Sequence, residues 1–181
     1  RTHEIQVGDQ PHVEADTLAA LKHFNPLAIV SIERPGQAQD GGYYNMRGES
    51  ISARTACFDG FIKWAKCPTI AVGDGGNEIG MGKVITALEK LDIVPSVTSA
   101  DELIVADVSN WGAYGMIAFL GLWHGQDLLA KIDTLAIFQY LSDLGSVDGV
   151  TRINQLTEDG LPVTEGQAVI EQLRHITGFN L

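Results

Sequence analysis

The chain is poor in cysteine, in positive charge and in long apolar runs, and each shortage removes a class of function. Lys and Arg number 12 against 23 Asp and Glu, a formal charge of −11. Such a surface repels phosphates and anionic headgroups, so neither nucleic acid nor a membrane is an expected partner. The longest apolar run, Met116 to Trp123, is interrupted by Gly121 and ends at His124, short of the roughly 20 residues a bilayer span needs. Nor does Arg1 onward carry a basic, apolar, cleavable leader. The two cysteines, Cys57 and Cys67, are expected at opposite ends of one helix, roughly 15 Å apart at about 1.5 Å rise per residue, too far to bridge. Lone buried thiols fit a reducing compartment, the cytoplasm or, in a eukaryote, the mitochondrial matrix. His3, His12, His23, His124 and His175 are scattered without metal-ligand spacing. With no GxSxG elbow and no cysteine beside a strand-end loop holding a histidine, a covalent nucleophile has no candidate.

What is present is a globular composition. The 181 residues are 45% hydrophobic and 19% charged, enough for one α/β domain with a real core. Beginning at Arg1 without an initiator Met, residues 1–181 read as a single domain that is a portion of a longer chain. Val13 to Phe24 places Leu18, Leu21 and Phe24 at helical spacing before Pro26. Leu27 to Ile32 reads as a central parallel strand covered on both faces. Ser52 is a candidate cap for a helix to about Lys66. Thr69 to Val72 predicts a strand, Lys83 to Leu91 a helix and Leu103 to Ala106 a third strand. Helices follow over Asn110 to Trp123, Asp133 to Leu144 and Thr164 to Ile176. Alternating strands and helices predict a three-layer α/β/α fold, Rossmann-like, with a mainly parallel sheet.

Ligands of open α/β sheets bind at the carboxyl ends of the strands, and three loops occupy those ends here. The first, ERPG at 33–36 continuing through GGYYNMRG at 41–48, concentrates Glu33, Arg34, Tyr44, Asn45 and Arg47. An arginine fork there could hold a carboxylate, or Glu33 and Arg34 could form a structural ion pair. The second, GDGGNEIGMG at 73–82, has five glycines in ten residues. It lacks the GK[ST] ending of a phosphate loop and the dinucleotide spacing, and Asp74 and Glu78 would repel a phosphate. Those acids suit proton transfer or a hard divalent cation; a tight turn with Asn77 as a helix cap is the structural alternative. The third, ADVSNWGAYG at 106–115, gathers Asp107, Ser109, Asn110 and Trp111, of which Ser109 or Asn110 could simply cap a helix and Trp111 could be core.

These loops together resemble the D-glutamate cyclase family, in its C-terminal catalytic region. The resemblance is carried by ERPG with GGYYNMRG, by VGDGGNEIGMGKV at 72–84, by VSNWGAYG at 108–115, and by VDGVT at 147–151 with DGLP at 159–162. It implies a hydro-lyase that closes D-glutamate into 5-oxo-D-proline with loss of water, aided by a divalent cation such as Mn or Mg and with no nucleotide cofactor. The partner is then a small amino acid, and a homo-oligomer is compatible. That chemistry needs a base for the α-ammonium, an acid for the leaving oxygen and positive charge on the γ-carboxylate. Asp74, Glu78, Arg34 and Glu33 are the expected catalytic residues, with Asp74 and Glu78 as metal ligands. Arg34 and Arg47 would hold the substrate carboxylates, Gly75 and Gly76 would offer oxyanion donors, and Tyr44, Asn45, Asn77, Asp107, Ser109, Asn110 and Trp111 would orient the substrate. A non-catalytic nucleotide or phosphate-metabolite domain, or another amino-acid lyase or racemase, is the alternative.

Overall fold

The computed structural model describes residues 3–7 and 10–180, and packing divides the chain into two compact units, Arg1–Ser109 and Asn110–Leu181. The first unit is built on an all-parallel sheet of β1 (Ile29–Ile32), β2 (Thr69–Gly73) and β3 (Glu102–Val105), in the order β1-β2-β3. Its helices are α1 (Gln10–Phe24), α2 (Asp59–Lys63) and α3 (Ile85–Leu88). The chain thus has the expected open α/β fold.

β2 is the covered strand: Ala71 and Val72 point to opposite faces and both are fully buried, as the middle strand of a parallel sheet requires. β1 departs from expectation. It lies at the sheet edge, with Val30 and Ile32 still 42% and 40% exposed, because its apolar run is matched by a neighbour on one side only. Behind β2, Ile62, Ala71, Ile79 and Ala100 form a buried cluster flanked by Ile29, Phe58 and Leu103; each large aliphatic there is worth about 1.5–3 kcal/mol. Gly80, at φ +100°, lies so close to Ala71 that an added Cβ would stand 2.2 Å from the alanine methyl. A glycine is therefore needed for the loop to rest on the sheet.

The helices differ from the sequence reading in instructive ways. α1 buries Val13, Thr17 and Ala20 and leaves Leu18 and Phe24 exposed; it stops where Asn25 takes φ +43° ahead of Pro26. The helix expected from Ser52 to Lys66 is broken into a short 3-10 turn at Ser52–Arg54 and the five residues of α2. Ser52 caps no helix: its Oγ accepts the Tyr43 amide at 2.9 Å, and Thr55 leaves the turn extended. The helix expected over Lys83 to Leu91 is likewise reduced to a 3-10 turn, Gly82–Val84, and the single turn of α3. Cys57 and Cys67 are both free and lie outside α2, not on one long helix.

The second unit holds α4 (Ser109–His124) from Asn110 onward, α5 (Thr134–Asp143), a hairpin of β4 (Thr157–Glu158) and β5 (Leu161–Pro162), and α6 (Val163–Ile176). Asp133 caps α5, accepting the Ala136 amide at 2.9 Å. Ala118, Leu129 and Ile170 form its core, with Tyr114, Ile117, Ile132 and Leu173 around them. The hairpin turns on Asp159 and Gly160, both at positive φ, the conformation for which Asp-Gly is favoured. Among the described residues, no helix is long and apolar enough to cross a membrane.

Candidate active site

Parallel strands end on one edge of the sheet, so the loops after β1, β2 and β3 emerge together. The first two are joined by backbone: Gly36 donates to the Asn77 carbonyl at 2.9 Å, Ile79 donates to the Arg34 carbonyl at 2.8 Å, and Pro35 bridges Glu78. The Glu33 amide bonds the Val72 carbonyl at 3.1 Å while its φ is +54°, a left-handed conformation that is costly for a residue with a Cβ. The third loop is tied to the second by Asp74, whose Oδ2 accepts from the Ser109 amide at 2.9 Å and hydroxyl at 3.0 Å.

This stitching brings Glu33, Asp74 and Glu78 together, each offering a carboxylate oxygen within 4.8 Å of the others. Glu78 is only 3% exposed, and burial followed by the nearby charge of Asp74 pushes its pKa above the ordinary glutamate value, against the pull of the Gly75 and Gly76 amides. Three hard oxygen donors crowded at this spacing suit a divalent cation, whose oxygens lie at roughly 2.0–2.6 Å, and such an ion would offset their mutual repulsion. The sequence reading proposed Asp74 and Glu78 as ligands; the geometry brings Glu33 beside them.

The remaining predicted residues are placed as follows. Gly75 and Gly76 direct their amides at Glu78 itself, at 3.0 and 2.8 Å, so the donors expected for an oxyanion are occupied by the loop's own carboxylate. Asn77 does not cap a helix; its Nδ2 donates to the Tyr44 carbonyl at 2.9 Å. The Tyr44 hydroxyl donates to Asp40 at 2.5 Å, and Asn45 donates to Glu49 at 2.7 Å while accepting the Arg47 and Glu49 amides. These groups shape the loop that Asn77 holds beside the glycine turn, and Arg47 stands exposed on it. Asp107 is exposed at the end of β3. Arg34 lies with its Cζ 4.1 Å from the Phe58 ring centroid and donates through Nη2 to the Ala56 carbonyl at 3.3 Å. In the second unit, Asn110 and Trp111 both donate to Glu158, the indole at 2.9 Å. The packing around them is close, since a Cβ on Gly166 would come within 3.1 Å of the Trp111 Nε1 and 3.2 Å of Glu158.

The sequence reading passed over three carboxylates that hold loops together, Asp59 in the first unit and Glu158 and Asp148 in the second. Asp59, fully buried, accepts the Gln37 amide at 2.9 Å, the Tyr43 phenol at 2.8 Å and the Thr98 hydroxyl. It ties the first loop to α2 and to the chain entering β3. Its signal was available: an acid in the apolar stretch CFDGFI is costly to bury unless several donors meet it. Glu158 receives Asn110 and Trp111. Asp148, in VDGVT, accepts the amides of Val150, Thr151 and Gly160 and the Thr157 hydroxyl. Burial opposes its charge, yet those hydrogen bonds prevail and bring its pKa down to about 2.

A family described as D-glutamate cyclase-like, C-terminal, matches residues 2–174. The human protein named D-glutamate cyclase, mitochondrial, is 42% identical over 121 residues, covering 60% of this chain. The matched stretch is 20% of that relative, so the chain corresponds to about a fifth of its length.

Proposed function

Because the chain belongs to the D-glutamate cyclase-like, C-terminal family, we propose that it carries the site for intramolecular lactamisation of D-glutamate to 5-oxo-D-proline with release of water, a hydro-lyase reaction. The observation that carries this reading is the convergence of Glu33, Asp74 and Glu78 where two strand-end loops are stitched together. A Mn or Mg ion held by these three would polarise the γ-carboxylate, which is otherwise a poor electrophile. Glu78, with its raised proton affinity, is suited to relay the two protons the nitrogen loses, one from the α-ammonium and one after C–N bond formation, to the oxygen that departs as water when the C–O bond breaks. Asp74, fixed by Ser109, would stay oriented toward the cation. Arg47 is the cation proposed for the α-carboxylate, on the loop that Asn77 holds. Arg34 stands outside this set, since it lines an apolar cavity whose walls include none of the three acids.

Asn110 and Trp111 act in this reading through Glu158, fixing the start of α4. The phosphate-binding alternative loses its principal donors, because the Gly75 and Gly76 amides are taken and Lys83 is bonded to the Asp101 carbonyl. We propose a reducing compartment for this chain, the cytoplasm or a mitochondrial matrix, of which the relative's mitochondrial name favours the matrix. The test is incubation of the full-length protein with D- and L-glutamate and with Mn²⁺, Mg²⁺ or EDTA, following 5-oxoproline by chiral chromatography. The D-product, formed with the metals and lost in EDTA, is expected. No product with any cation would overturn the proposal.

A further inference from the structure

Beside the edge strand β1, the first unit holds a cavity of about 370 Å³. Its walls are mostly apolar, among them Phe24, Ile32, Phe58, Phe61, Ile62 and Ile79, with His3 and Ser31 as polar members, and Arg34 is the permanently charged residue among the described ones. The arginine is held in place on two sides, stacked against Phe58 and bonded through Nη2 to the Ala56 carbonyl. Its Nε, by contrast, is buried and has no hydrogen-bond partner. A buried donor without an acceptor is costly, and proteins rarely leave one so. Nη2 also carries a second hydrogen, so once the guanidinium turns its covered Nε edge toward the cavity, a side-on fork of Nε–H and Nη2–H can meet the two oxygens of a planar anion.

We propose that this cavity binds a small monocarboxylic acid with an aromatic or branched aliphatic body. The carboxylate would accept from Arg34 Nε and Nη2, and the body would lie among Phe24, Phe61, Ile32 and Ile62. The volume falls in the range of ligand pockets, which are mostly apolar with a few placed polar groups. A dianionic amino acid does not match it, for its ammonium and second carboxylate would be stripped of water against hydrocarbon. None of Glu33, Asp74 and Glu78 lines this cavity, although their chain neighbours Arg34 and Ile79 do, and the proposal stands or falls independently of the lactamisation.

The test uses the full chain with isotope-labelled isoleucine methyl groups and 3-phenylpropionate as probe, compared with the isosteric 3-phenylpropanamide and with D-glutamate. Expected are shifts at Ile32, Ile62 and Ile79, an amide that binds at least about tenfold more weakly than the acid, and a similar loss in Arg34→Lys, which keeps the charge but removes the fork. D-Glutamate should not displace the probe. Equal binding of acid and amide, undisturbed methyls or displacement by D-glutamate would each overturn the proposal. Should Arg34→Lys fail to fold, the acid and amide comparison on the unaltered protein decides alone. Because binding is read directly, a chain without cyclase activity can still pass, and an active one can still fail.

Discussion

Glu78 closes on the loop that carries it, its two carboxylate oxygens accepting the amides of Gly75 and Gly76 at 3.0 and 2.8 Å. The same side chain is buried beside Asp74, which raises its pKa. Ionised Glu78 is thus the costly form. Its contribution to stability is fully present below the ordinary glutamate value and is lost as pH rises through the raised one. In EDTA, the melting temperature of the wild type should fall with pH across that window relative to Glu78→Gln. Added Mn²⁺ should restore it increasingly as pH rises, and turnover in Glu78→Gln should drop at least about a hundredfold. A Mn²⁺-induced shift unchanged by the substitution would remove Glu78 from the cation site.

Glu33, one of the three clustered acids, has a strained backbone, at φ +54°. Glycine adopts that conformation without penalty, and the left-handed form costs a side-chain-bearing residue about 1–3 kcal/mol. Glu33→Gly should therefore melt at a higher temperature than Glu33→Ala, which keeps the Cβ, while both abolish the cation response and most turnover. Differential scanning calorimetry with and without Mn²⁺ measures both. A melting temperature no higher for Glu33→Gly than for Glu33→Ala would show that the strain is not there to relieve.

Asp59 is a hub within the first unit, holding Gln37, Tyr43 and Thr98 at once. Tyr43→Phe removes one donor and should cost about 1.5–3 kcal/mol, as for a hydrogen bond to a charged group. Asp59→Ala leaves several buried donors unmet and should cost more. The double substitution should cost less than the sum of the two, by urea denaturation, because the second change then removes a group already unpaired. Strict additivity would mean the phenol and carboxylate are not coupled.

Asp148 makes an opposite pH prediction. With its pKa drawn down to about 2 by the amides and hydroxyl around it, its stabilisation is present above the ordinary aspartate value and is lost as pH falls toward 2. Asp148→Ala, which leaves four donors without their acceptor, should destabilise by about 1–3 kcal/mol at neutral pH. The deficit should shrink between about pH 4 and 2. Stability followed by circular dichroism through that range checks it; a constant deficit would assign the effect to packing alone.

The sequence made the sheet and the long helices legible because apolar runs and 3.6-residue periods report burial directly. β2 and β3, α4, α5 and α6 lie within a residue or two of where the pattern put them. It misplaced the segments where tertiary bonds displace local preference. Ser52 accepts the Tyr43 amide through its Oγ, and the run that followed it breaks; Gly82 is pressed on the Val97 carbonyl, and the next helix shrinks to one turn. β1 looked central because composition cannot say how many neighbours a strand has. At the site, residue type and strand-end position singled out Glu33, Asp74 and Glu78. What position could not reveal was that Gly75 and Gly76 serve Glu78, or that Asn77, Asn45 and Tyr44 spend their polar groups on the loops. These pairings join residues by fold, with no spacing rule to announce them.

The backbone bonds between Arg34 and Ile79 and between Gly36 and Asn77 bear on how an ion would be captured. Acids supplied by flexible arms must be gathered at an entropic cost each time a ligand arrives. Here the two loops are laced together beforehand, so the chelating geometry is a property of the folded main chain. Binding should consequently demand little rearrangement, and the loop carrying Glu33 should show the same amide-exchange protection before and after a cation is added.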